Sequence, residues 1–253
     1  MRYCKNQCMS STKRSLAILA SGGGSTALAV LEAIQSGHLT GIQPRLIVAS
    51  KITAGIIEKV RTTDFPDEGL IIISPNAYSS EAEFGATLLN RLQEFEIDLV
   101  AQLGWLPKTP TNVIDQYQAT IFNQHPGALD PPEPPDFVGR AMYGRAAIAA
   151  ALYFQQTPGS LPTIEATTHL VTPQFDQGLL LRTEVVPIQP DDTVESLQAR
   201  LLPAEHKNVI ATLAEFAQKR ESPHTRSQRL ITKSDLSALA EAKTRAISDY
   251  PRG

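Results

Sequence analysis

The stretch SLAILASGGGSTALAVLEAIQSG, residues 15–37, decides the fold. It runs from a short, continuously apolar segment through three glycines into apolar residues at helical spacing, and stops at Gly37. An unbroken apolar run marks a strand covered on both faces, and glycine is the usual residue just past a helix C-terminus. A strand, a tight turn and a helix in immediate succession make the first half of a βαβ unit.

Four further segments repeat the character of that strand: PRLIVAS (44–50), LIIIS (70–74), IDLVAQL (97–103) and ATIFN (119–123). The amphipathic stretch SEAEFGATLLNRLQEFE (80–96) lies between the third and fourth strands. Strands alternating with helices imply right-handed βαβ units, and so an α/β protein with an open, mostly parallel sheet flanked by helices. After Asn123 the rhythm changes. HPGALDPPEPPDFVG (125–139) is too rich in proline for a helix or an interior strand and reads as a loop. GRAAIAAALYFQQ (144–156) then reads as a helix, and TIEATTHLV (163–171) and GLLLRTEVVPI (178–188) as two strands. Residues 193–219 read as a helix that Pro203 should break or kink, 220–229 as polar and structureless, and 234–249 as a capped terminal helix. The expected organisation is an N-terminal extension over 1–13, a core domain over 14–219, and a linker with a C-terminal helical extension over 220–253.

A chain of 253 residues that is 42 % hydrophobic can build a substantial core. Its formal charge of -3 argues against general binding of nucleic acid, though a local anion site is compatible with it. Cys4 and Cys8 have no Cys or His cluster to complete four metal ligands and read as an incidental reduced pair. The N-terminus lacks the apolar stretch of a secretory signal, and no run approaches the roughly 18 apolar residues of a membrane span. The expectation is a cytoplasmic protein acting on small molecules, without nucleic-acid or membrane partners, as a monomer or homodimer.

Two constellations could carry chemistry. Gly22, Gly23, Gly24, Ser25 and Thr26 lie between the first strand and helix, where free N–H groups attract an anion, typically phosphate. No lysine follows as in a Walker loop, and a plain turn that allows close packing reads equally from the residues. Asn123 and His125 stand at the carboxyl end of a parallel strand, where open sheets bind ligands, and Asp176 joins them only if two strand ends meet. An amide can donate to an oxyanion, an imidazole can exchange protons, and a carboxylate can orient it. By spacing alone, a strand cap, a packed histidine and a turn aspartate remain the alternative. His169 reads as structural, and Glu205 and His206 as a helix face that is either solvated or within reach of a ligand.

Four motifs in order, LASGGGSTALAVLEAI, IDLVAQLGWLPKTP, IFNQHPGAL and THLVTPQFDQGLLL, resemble those of the glycinamide ribonucleotide formyltransferases across residues 15–217. The resemblance implies a Rossmann-like formyltransferase fold and formyl transfer from 10-formyltetrahydrofolate to the ribonucleotide amine, without a metal, in purine biosynthesis. It implies Asn123, His125 and Asp176 as the catalytic trio. Gly23, Gly24, Ser25 and Thr26 would receive the phosphate, and Glu205 would meet the ribose hydroxyls. Leu103, Gly104, Trp105, Leu106, Pro107 and Thr172 would line the folate pocket. Three departures stand out: Ser80 where many relatives carry an arginine, Ile148 where some carry histidine, and the proline loop. Without the arginine, Lys51, Arg140 or the backbone is left to hold the phosphate. Hydrolysis of 10-formyltetrahydrofolate, or non-catalytic nucleotide or folate binding, are the competing readings.

Overall fold

The computed structural model describes residues 13–131, 136–137, 139, 141–157 and 161–251. Five parallel strands form the heart of the sheet: β1 (Arg14–Ala20), β2 (Ile42–Ala49), β3 (Leu70–Ile72), β4 (Leu99–Leu103) and β5 (Ile121–His125). β6 (Thr163–Leu170) and β7 (Leu180–Pro187) extend it antiparallel, giving the order β3-β2-β1-β4-β5-β6-β7. The helices are α1 (Ser25–Gln35), α2 (Ile56–Val60), α3 (Glu81–Glu94), α4 (Thr111–Gln116), α5 (Gly144–Gln155), α6 (Val194–Gln218) and α7 (Leu236–Asp249). The strand and helix segments read from the sequence are all present. The short helices α2 and α4 were not read, because five or six residues carry too little periodicity to stand out.

Strand alternation divides the core. Leu16, Ile18 and Ala20 pack with Ile47, Phe122 and the α1 and α6 residues Val30, Val209 and Phe216. Ala17 and Leu19 face the other way, toward Phe84 and Leu88 of α3 and Val113 of α4. A third cluster joins Ala147 and Phe154 of α5, Ile164 of β6, Leu197 and Leu201 of α6, and Leu239 and Ala242 of α7. The terminal helix therefore lies against the body of the molecule.

Pro203 neither breaks nor ends α6, which runs unbroken from Val194 to Gln218. The proline deprives the Ala199 carbonyl of one helical donor, but Leu197 and Leu201 before it and Val209, Leu213 and Phe216 after it anchor the helix in two different core clusters. Burial at both ends outweighs one missing bond, given that each such side chain contributes about 1.5–3 kcal/mol. Thr193 starts the helix with a reciprocal capping pair, accepting from Ser196 N at 3.2 Å while its own N–H donates to Ser196 Oγ at 3.0 Å. Among the described residues, no helix is long and apolar enough to cross a membrane.

Candidate active site

The sheet order changes direction between β1 and β4, since β2 and β3 lie on one side and β4 and β5 on the other. Such a switch point leaves a crevice beyond the strand ends, and here a cavity of about 790 Å³ occupies it. Ser21 ties its floor together: its N–H donates to the Gly104 carbonyl at 2.9 Å, and its hydroxyl accepts from Ser50 Oγ at 2.7 Å and Leu106 N at 3.0 Å. The loops after β1, β2 and β4 are thereby fixed to one another.

The glycine turn forms one wall. Gly24 takes φ +70°, and a Cβ there would lie 2.6 Å from Ile56 Cβ, so both its backbone and its neighbour demand glycine. α1 begins with no side-chain cap, leaving its first N–H groups available beside Gly22 and Ser25, which line the cavity. Thr26 is buried at the start of the helix. Lys51, exposed on the loop after β2, lines this cavity and an adjoining one of about 670 Å³. Ser80 lies in that second cavity and caps α3, its hydroxyl accepting from Glu83 N at 3.2 Å. Arg140 and the prolines 132, 134 and 135 lie outside the described residues, as do Cys4 and Cys8.

At the opposite side, Asn123, His125 and Asp176 come together, and His169 joins them. The antiparallel register sets Asn123 directly across from His169. Asn123 Nδ2 lies 3.1 Å from His169 Nε2 and donates to Asp176 Oδ1 at 3.2 Å. His125 Nδ1 stands 3.7 Å from Asp176 Oδ2, and His169 Nε2 is 3.3 Å from Asp176 Oδ1. Because the Leu170 carbonyl can only accept, the 2.8 Å contact from His169 Nδ1 places a proton there and leaves Nε2 to accept from Asn123 in the neutral ring. Asp176 itself sits at φ +54°, in the turn after β6. That turn closes only because Gly178 lies against the Leu170 carbonyl, where an added Cβ would fall 1.7 Å from the oxygen. The Asp-x-Gly spacing is thus a packing requirement that delivers a carboxylate to the site.

Charge in the cluster is distributed unevenly. Burial pushes the Asp176 carboxyl up, but His125, His169 and Asn123 together outweigh it and hold it at about 2. Burial lowers the His125 pKa, with Asp176 and the Phe137 main chain opposing. We therefore assign a neutral His125 beside an ionised Asp176 at neutral pH. The buried Nε2 of His125 has no hydrogen-bond partner among the described residues.

Gln124 points to the other sheet face and donates to Glu205 Oε1 of α6 at 2.8 Å. Burial raises the Glu205 carboxyl to about 7, and the bond from Gln124 opposes that only in part. Gly104, Trp105, Leu106, Pro107 and Thr172 line the cavity, with Ile148 at its margin, whereas Leu103 is buried in the core behind them. The Trp105 Nε1 atom is buried and unpartnered among the described residues. Leu106 and Phe175 remain 47 % and 58 % exposed at the mouth, apolar surface suited to a flat, partly apolar ligand. Among the described residues no group of three or more His, Cys, Asp or Glu side chains is arranged to hold a metal ion.

A family model described as formyl transferase matches residues 14–213, from the first residue of β1 into α6. The chain belongs to the formyl transferase family. It is 32 % identical over 213 residues to the chloroplastic phosphoribosylglycinamide formyltransferase of Vigna unguiculata, across 82 % of this chain but only 62 % of that protein. The Bacillus subtilis (strain 168) phosphoribosylglycinamide formyltransferase is 24 % identical over 77 % of this chain and 90 % of its own length. Glycinamide ribonucleotide transformylase 1 from Symbiobacterium toebii superposes with a TM-score of 0.72 at 26 % identity, covering 85 % of this chain and 94 % of that one. A formyltetrahydrofolate deformylase from Pseudomonas syringae pv. tomato shares the fold at a TM-score of 0.68 and 18 % identity. Spacing could not reveal two contacts that the fold makes: His169 against Asp176, and Gln124 against Glu205. Strand alternation separating Asn123 from Gln124 was the available signal for the second.

Proposed function

We propose that this protein transfers the formyl group of 10-formyltetrahydrofolate to the primary amine of glycinamide ribonucleotide, as its relatives' names suggest, in purine biosynthesis. The observation that carries the reading is one cavity with two unlike ends: an uncapped helix N-terminus after a glycine turn, and a carboxamide, two imidazoles and an ionised carboxylate in mutual contact. The first suits a phosphate and the second an acyl carbon that becomes tetrahedral.

In the proposed sequence the neutral amine attacks the formyl carbon, forming a C–N bond while the carbonyl electrons move to oxygen. Asn123 Nδ2 carries two hydrogens, and the one it gives Asp176 in the unliganded site turns to donate to that oxyanion. Neutral His125 protonated on Nδ1 turns a second donor toward the cavity, and the new negative charge raises the affinity of the ring for a further proton. The cationic amine then loses a proton, through water ordered by Asp176, to N10 of the folate; the oxyanion electrons re-form the carbonyl as the N10–carbon bond breaks and its pair stays on N10. Asp176, held near 2, is too weak a base to keep that proton and serves as an anchor for water and imidazole. Gly23, Gly24, Ser25 and Thr26 frame the phosphate end, with Lys51 as the nearby cation and Arg140 still assigned to the same substrate. Glu205 accepts from ribose hydroxyls. Gly104 to Pro107 and Thr172 frame the pterin, with Leu103 packed in the core behind them. The proposal includes a reaction without metal, a core domain at 14–219 followed by a linker and C-terminal helix at 220–253, a cytoplasmic setting, and a monomer or homodimer.

The test is to incubate the protein with 10-formyltetrahydrofolate, with and without glycinamide ribonucleotide, and follow the deformylated folate. Turnover that requires the amine supports transfer. Amine-independent release of formate would replace the proposal with hydrolysis, and absence of both would leave a non-catalytic binding protein.

A further inference from the structure

The family match ends at residue 213, yet the chain beyond it returns to the active-site side of the sheet. His224 exchanges backbone hydrogen bonds with Leu180 at 2.8 and 2.9 Å, adding one bridge to the outer edge of β7. Two residues later, Arg226 turns inward. Its Nε donates to the Leu129 carbonyl at 2.6 Å, and its guanidinium forms an ion pair with Glu165 of β6. Both charges are largely buried, with side chains 17 % and 8 % exposed, so the pair is well shielded from water and salt. The Leu230 N–H then donates to Asp130 Oδ2 at 2.8 Å, and Asp130 N in turn donates to Asp136 Oδ2 at 2.9 Å. From α7, Lys243 Nζ donates to the Asp136 carbonyl at 3.0 Å.

Three of these bonds, from Arg226, Leu230 and Lys243, end on the loop that follows His125, while His224 and the Arg226–Glu165 pair tie the tail to β7 and β6. The loop's inner side is held by the core domain, through Thr167 Oγ1 to the Gly127 carbonyl at 2.8 Å, and its outer side by the tail. The loop also forms the wall behind the imidazole: a Cβ on Gly127 would lie 3.0 Å from His125 Nε2, and the Phe137 main chain touches the same ring. With its Nδ1 standing 3.7 Å from Asp176, His125 is not locked by its carboxylate partner. The wall behind it therefore sets where the ring sits.

We propose that Arg226 is a positioning residue: by clamping Leu129 to Glu165 it fixes the Gly127–Asp130 loop, and through it the orientation of His125. The tail thus completes the active site without touching substrate. This rests on the formyl transfer proposed above.

The experiment compares Arg226→Ala and Arg226→Lys with the wild type by steady-state kinetics, thermal melting and the His125 imidazole NMR resonance, assigned by its loss in His125→Ala. Displacing a catalytic ring by a fraction of an ångström lowers kcat with little effect on substrate binding, so Arg226→Ala should lose at least about tenfold in kcat, with both KM values within about threefold. Its His125 resonance should move. Arg226→Lys keeps the charge beside Glu165 but not the forked reach to Leu129, and should fall between the two; it carries the test if the alanine variant does not fold. A variant that melts earlier but keeps wild-type kcat and an unmoved resonance would reduce Arg226 to a purely structural role and overturn the inference. Wild-type protein without formyl transfer would sink the proposed reaction instead, and the His125 resonance alone would then decide the role of Arg226.

Discussion

Replacing Glu205 by glutamine should stabilise this protein at alkaline pH while weakening its grip on a ribose. The carboxyl lies in α6 at the cavity wall, and burial raises it from 4.5 to about 7. Its folded pKa therefore exceeds its unfolded one. The stability it contributes is fully present below about pH 4.5, fades as pH rises, and is gone above about pH 7, where the folded state must carry a poorly hydrated charge. At ~1.4 kcal/mol per pH unit, the gap between 4.5 and about 7 sets an upper bound of roughly 3.5 kcal/mol. The side chain borders a cavity, whose water screens part of that cost, so about 1–3 kcal/mol is expected. Glutamine keeps an oxygen for the 2.8 Å bond from Gln124 and cannot ionise. Urea unfolding of both proteins at pH 5 and pH 8 should show similar stability at the lower pH and a more stable variant at the higher. A variant that is less stable than wild type at pH 8, or that keeps the wild-type pH dependence, would refute the argument. In kinetics the same substitution should raise the ribonucleotide KM and flatten its pH dependence around 7, because only the carboxylate accepts from two hydroxyls at once.

Three further outcomes follow from the site. His125→Ala and Asp176→Asn should each lower turnover at least about a hundredfold, and near-normal kcat in either would remove that residue from the mechanism. Gly23→Ala should melt within about 0.5 kcal/mol of wild type, since nothing lies within 4 Å of its added Cβ, yet bind the ribonucleotide more weakly, whereas Gly24→Ala should cost at least about 2 kcal/mol from its φ of +70° and the contact with Ile56. Gly178→Ala should lose both stability, by about 1–3 kcal/mol, and activity, because the chain must withdraw from Leu170 and take Asp176 with it; a fully active variant would detach the turn from catalysis.

Much of the fold was legible because it rests on short-range pattern. Continuous apolar runs located β1 to β5, and the glycines after β1 and the proline stretch after β5 marked where the chain leaves the sheet. The strand ends then placed Asn123 and His125 at the crevice. What stayed hidden depends on contacts between distant segments. Nothing within TTHLVT distinguishes His169 from a packed core histidine until the antiparallel register sets it across from Asn123. RESPHTRSQR reads as polar and structureless, yet Arg226 finds a buried carboxylate sixty-one positions back in the chain. For a related reason the break that Pro203 makes possible does not occur: packing in two core clusters keeps α6 continuous.

The chain contains one tryptophan, and it stands in the cavity wall. Trp105 is 7 % exposed, with an indole N–H that no described residue accepts. Its ultraviolet emission therefore reports on a single place in the molecule, and that place is the binding crevice. A ligand that stacks nearby or accepts from the indole will change the colour and intensity of that light, so occupancy can be followed in unlabelled protein with no second fluorophore of its kind to subtract.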